Sequence, residues 1–166
     1  MNKLPIILLT IVLITIMAGY SSDTPINPYI GRDLKIGVIG GHPDIIESNK
    51  VTFSSIEFED LTNEDYKRYD AVFIMKERLE EAATDHDSEV YLQVVIPIIF
   101  IGTDTLTPFL TNDVKYQPKA FQKGSSYSVG IINGKKYGLG LYNDKENEDS
   151  LHLFYSDLFR LIEKSY

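Results

Sequence analysis

Two apolar runs, each closing on glycine and then polar groups, do most to restrict what this chain can become. Leu34-Lys35-Ile36-Gly37-Val38-Ile39 runs into Gly40-Gly41-His42-Pro43-Asp44, and Ile96-Pro97-Ile98-Ile99-Phe100-Ile101 into Gly102-Thr103-Asp104. Buried parallel strands have this form, because helices cover both faces of their sheet and leave no polar side to alternate with. Ala71-Val72-Phe73-Ile74-Met75 is a third all-apolar strand. Between them, Leu79, Ala82, Ala83, His86, Val90 and Val94 recur at helical spacing, and Thr84-Asp85-His86-Asp87-Ser88 marks a break into two helices.

The remaining stretches complete an alternation of strands and helices. Pro43 to Glu47 suits a short helix with proline at its first position, and Val51 to Phe58 a strand whose end, Ser55 to Glu59, alternates as an edge does. Thr62 is placed to cap a helix from Asn63 to Arg68. Asn133-Gly134 supplies the positive φ angles of a tight hairpin, which pairs Ile132 with Lys135, Gly130 with Tyr137, Val129 with Gly138 and Tyr127 with Gly140. Leu151, Phe154, Tyr155, Leu158, Phe159 and Ile162 form one stripe on a closing helix entered through Asn147-Glu148-Asp149. The expected fold is α/β: a three-layer, open, mostly parallel sheet of order 2-1-3-4-5, with a C-terminal antiparallel hairpin and closing helix. In pattern, Leu34 to Asp104 resembles a flavodoxin-like or Rossmann-like sheet, and one lobe of the extracytoplasmic ligand-binding proteins built from such sheets.

The N-terminus bears on location. Lys3 precedes an almost wholly apolar stretch from Leu4 to Ala18, shorter than the roughly 18–20 residues that span a bilayer comfortably. Small residues follow at Ala18, Gly19, Ser21 and Ser22, the layout of a bacterial secretory signal peptide. Met17-Ala18-Gly19-Tyr20-Ser21-Ser22 resembles the lipobox of bacterial lipoproteins, with Tyr20 where the lipid-bearing cysteine would stand, so no lipid is assigned. The resulting division is residues 1–21 as signal peptide or membrane anchor, 22–31 as linker and 32–166 as one α/β domain. The expected location is extracytoplasmic, either secreted or anchored to the outer face of the cytoplasmic membrane, with membrane contact only through the N-terminal segment.

Charge and composition narrow the partners. A net charge of −8 without a basic cluster repels phosphate backbones, which argues against nucleic acid. The absence of cysteine excludes disulfides, thiolate metal sites and a cysteine nucleophile. Neither G-x-G-x-x-G nor G-x-x-x-x-G-K-[ST] occurs, and no cofactor is expected.

Ligands of open α/β sheets bind where strand carboxyl ends meet the topological switch point. That position delivers Gly40, Gly41, His42, Asp44, Lys76, Gly102, Thr103 and Asp104 as candidate ligand-binding residues. Gly40-Gly41 would let backbone amides approach a ligand oxygen. His42 with Asp104 or Asp44 is the one candidate base-and-orienter pair, with a hydroxyl of Thr103 or Thr105 beside it. Asp85-His86-Asp87 offers metal-binding atoms, but helix neighbours point apart and a surface break explains them, so no metal site is assigned. Asp144, Glu146, Glu148 and Asp149 lack the glycine-pivoted spacing of an EF-hand. Three functions follow. The first is an exported binding or interaction domain without catalysis, for a small molecule or a protein. The second is a small hydrolase-like enzyme using His42 and Asp104. The third is an envelope structural or immunity-type protein that docks through the tyrosines of its hairpin, Tyr127, Tyr137 and Tyr142.

Overall fold

The computed structural model describes residues 27–45, 49–86 and 88–166. The segment expected to be a signal peptide or membrane anchor, with Tyr20, the first part of the expected linker, and the end of the helix expected over Pro43–Glu47 lie outside the described residues. Pro43 to Ile45 has no regular structure.

The apolar runs form the middle of one sheet. β1 (Leu34–Ile39), β3 (Ala71–Ile74) and β4 (Ile98–Ile101) lie side by side and parallel, with β2 (Val51–Ser55) parallel to β1 on its outer side. Every residue of β3 and β4 is buried, as strands covered on both faces must be. β5 (Ser128–Ile132) and β6 (Lys135–Leu139) continue the sheet antiparallel. The order is β2-β1-β3-β4-β5-β6, so the sheet has six strands where five positions were expected. Both arms of the hairpin join it, and β6 becomes its outer edge.

The hairpin register is the one its turn dictates. Asn133 and Gly134 have φ of 50° and 71°, and Ile132 pairs with Lys135, Gly130 with Tyr137 and Val129 with Gly138. Gly130 is needed for a second reason: a Cβ there would run into the carbonyl oxygen of Ile98 on β4.

Side-chain alternation sends the sheet's residues into two separate cores. Ala71 and Phe73 face one way, with Leu34, Ile36, Val38, Ile99 and Ile101; Val72 and Ile74 face the other, with Ile39, Ile98 and Phe100. The first core is closed by one 16-residue helix, α4 (Glu148–Glu163), through Phe154, Tyr155, Leu158, Phe159 and Ile162. Its N-cap is Asn147, whose side chain accepts the Ser150 N–H at 2.9 Å. The second core is covered by shorter pieces: α1 (Phe58–Thr62), α2 (Leu79–Thr84), α3 (Ser88–Gln93) and 3-10 turns.

Three boundaries differ from expectation. β4 starts at Ile98, two residues after the apolar run begins. The alternating stretch after Ser55 turns into α1, because Glu57 and Asp60 cap each other's backbone and swing Phe58 and Leu61 into the core. Thr62 ends α1 instead of opening a helix; Glu64, in the left-handed region at φ 62°, separates α1 from a 3-10 turn at Asp65–Arg68.

The stretch expected to act as a linker is docked from Asn27 onward. Tyr29 is 2% exposed and donates its hydroxyl to the Arg32 carbonyl at 2.8 Å. Arg160 of α4 donates to the Pro28 carbonyl at 3.0 Å, and Glu163 accepts the Arg32 N–H at 2.9 Å. Arg32 also pairs with Asp70, just ahead of β3, at 2.8 Å, and the Tyr166 hydroxyl donates to the Asp70 carbonyl at 2.8 Å. Both described ends of the chain therefore meet at the amino edge of the parallel strands. Among the described residues no helix is long and apolar enough to cross a membrane.

Candidate functional site

Because β1, β3 and β4 run in one direction, Gly40, Met75-Lys76 and Gly102 leave the sheet on the same edge. The exits are pressed together. Gly40 has φ 117°, and a Cβ there would lie 2.6 Å from a Glu77 oxygen and 2.8 Å from the Met75 Cβ. Gly102 has φ 87°, and a Cβ there would lie 2.8 Å from the Lys76 Cβ. Only glycine combines that backbone with that lack of room.

The candidate residues divide into two places along this rim. At the exits of β1 and β3, the switch point of the sheet, the Gly41 N–H donates to Glu77 Oε1 at 2.6 Å. Burial raises the Tyr155 phenol, which belongs to the core beneath, and Tyr127 and then the same Glu77 charge add to the rise. His42 turns outward from there. Its Nε2 lies 3.0 Å from Ser55 Oγ at the end of β2, and its ring is 5.9 Å from that of Phe53. Asp44 is exposed.

The second place is a cleft beyond β4, between that strand's exit and the long connection to β5. Lys76, Gly102, Thr103 and Asp104 line it from the sheet, and Tyr116, Lys119, Ser126 and Tyr127 from the connection. The cleft's volume is about 20 Å³, the room that one water or a small ion needs. Thr103 is buried and its Oγ1 accepts the Thr105 N–H at 3.2 Å. Burial raises the Tyr116 phenol; a hydrogen bond with Thr103 works against that, and the Asp104 charge adds to it. Tyr127, in the cleft's lining, donates to Glu146 Oε1 at 3.1 Å. Among the described residues, Lys76, Lys119 and Asp104 make no ion pair.

Lys76, Gly102, Thr103 and Asp104 are thus brought together, and Gly40 and Gly41 meet Glu77 next door. His42 and Asp104 are not brought together. His42 bonds to β2 on one side of β1, whereas Asp104 follows β4 on the other, with β3 between. Strands about 4.8 Å apart put roughly 10 Å between the β1 and β4 exits alone. Tyr116, Lys119 and Ser126 were not legible as site residues, since the connection that carries them has no period and is positioned by distant contacts; Tyr127 was expected on a docking face of the hairpin and instead lines this cleft. One such contact is Phe109 stacked on Phe100 of β4 at 4.1 Å.

The other polar clusters have structural partners. His86 stacks on Phe58 at 3.9 Å, its Nε2 is 3.9 Å from Glu81, and Asp87 lies outside the described residues. Asp144 accepts the Gly124 N–H at 2.8 Å, while Glu146 takes the Tyr127 hydroxyl. Among the described residues no group of three or more His, Asp or Glu side chains is placed to hold a metal ion.

No family model, curated protein or solved structure matches this chain.

Proposed function

We propose that the protein is an exported, non-catalytic binding domain that grips the charged end of a small polar ligand in the cleft beyond β4. The observation that carries this reading is the meeting of Lys76, Lys119 and Asp104 around one opening with none of them neutralised by an ion pair. Ionic groups held near one another and left unpaired are matched by a ligand of complementary charge. The small volume admits only the charged tip of a ligand and leaves the rest of it outside. The secretory layout of residues 1–21 supports export, and the net charge of −8 weighs against nucleic acid as the ligand. A hydrolase would need His42 at Asp104, and His42 is hydrogen-bonded to Ser55 instead.

Native mass spectrometry of the protein recovered from the producing cells tests the reading. The expected species begins at Ser22 and carries a retained small molecule that Lys76→Ala and Asp104→Asn each weaken. An intact leader in a cytoplasmic fraction would overturn the export claim. No retained mass, or one that both variants keep unchanged, would overturn the cleft.

A second reading, an envelope interaction protein, draws on β6. That strand is the sheet's outer edge, exposed from Lys135 to Gly138, and Tyr137 and Tyr142 are 39% and 47% exposed. Tyr127 is buried beneath, so the docking face would consist of the other two tyrosines.

A further inference from the structure

In an open α/β sheet the switch-point crevice is where a ligand oxygen meets a backbone amide at the first strand's exit. Here that amide already has its oxygen. The Gly41 N–H donates to Glu77 Oε1 at 2.6 Å, a short distance in keeping with an ionised acceptor. Glu77 reaches it across the two strand exits, from a position 36 residues further along the chain. It does so although Lys76 is its immediate neighbour, and among the described residues it forms no ion pair. Arg78, on its other side, is held by Glu81 and Glu57. Gly40 has its φ of 117° and lacks a Cβ where the same Glu77 oxygen would be 2.6 Å away, so the turn leaves room for an oxygen there.

We propose that the Gly40-Gly41 turn is an oxyanion site that the Glu77 carboxylate occupies in place of a ligand, so that only a carboxylate or phosphate able to displace Glu77 binds there. The occupant hangs on an exposed side chain after β3, and rotation about its own bonds vacates the crevice without disturbing the sheet. An internal competitor lowers apparent affinity by the fraction of time that the site stands open. This inference is independent of whether the cleft beyond β4 holds anything.

The test is titration of ¹⁵N-labelled full-length protein with inorganic phosphate and, separately, with acetate, following the Gly41 amide by NMR. Three proteins are compared: wild type, Glu77→Ala and Glu77→Gln. Glu77→Ala should show a saturable Gly41 shift at an anion concentration about ten- to a hundredfold below that required by wild type, the factor for losing a charge-assisted competitor. Glu77→Gln retains an amide oxygen for the turn and should fall between them. The phosphate and acetate arms tell which oxyanion is preferred. A Gly41 amide that titrates identically in all three proteins, or in none, overturns the proposal. If Glu77→Ala loses the dispersed amide shifts of β1, Glu77→Gln against wild type decides alone, and equal behaviour of that pair overturns it.

Discussion

The ring of Tyr29 sits 5.8 Å from that of Phe159, tilted by 60°, so a residue ahead of the first strand belongs to the same core as the last helix. Tyr29→Ala should therefore cost about 3 kcal/mol, the scale for removing a buried aromatic. The loss should appear in urea unfolding as a lower midpoint with an unchanged slope. A midpoint within error of wild type would mean that residues 27–31 are not part of the folded body.

Two hairpin glycines should respond unequally to alanine. Gly134, at φ 71°, has open space around it, and its alanine form meets only the backbone penalty of about 1–2 kcal/mol. Alanine at Gly130 drives a methyl group into the Ile98 carbonyl and toward Ile99. It should part β5 from β4 and cost more than the Gly134 change. Thermal melts of the two variants supply the comparison, and equal losses would contradict the close strand approach.

Buried phenols set an alkaline limit to stability. Burial raises Tyr91, Tyr127 and Tyr155 above their ordinary value of 10.0. Burial first, and then Glu163, pushes Tyr29 up to about 12. Below pH 10 these phenols are neutral in both folded and unfolded chains, and their contribution is whole. Above it the unfolded chain ionises first, so stability falls as pH rises through the folded values. Melting temperature should decline above pH 10, and tyrosinate absorbance should rise together with loss of circular dichroism. Tyrosinate appearing in full before unfolding would refute the assignment.

The start of α4 depends on a single side chain. Asn147→Ala removes the acceptor of the Ser150 N–H and should destabilise by about 1 kcal/mol, whereas Asn147→Ser should restore most of it. Denaturant midpoints of the pair distinguish capping from mere helix propensity.

The parts of the fold legible in sequence were those whose signal is local. The unbroken burial of β3 and β4, the Asn133-Gly134 turn with its register and the α4 stripe each follow from spacing within a dozen residues. The passage from β2 to α1 was not legible. Ile56 and Phe58 alternate like strand residues, and only the Glu57–Asp60 cap decides for helix. The rim was legible in outline because parallel strands must end on one edge, which brought Lys76, Gly102, Thr103 and Asp104 together. Glu77 bonding to Gly41, and Tyr116 and Lys119 lining one cleft with Asp104, join distant parts of the chain with no periodic trace. His42 choosing Ser55 over the rim is of the same kind.

The clasp of Arg32 and Tyr166 on Asp70 gathers the two described ends beneath the sheet, while the glycine exits open above it. Any group joined ahead of Asn27 would therefore sit on the face of the domain opposite Gly40 and Gly102. That separation follows from the strand directions alone, since β1, β3 and β4 all run the same way.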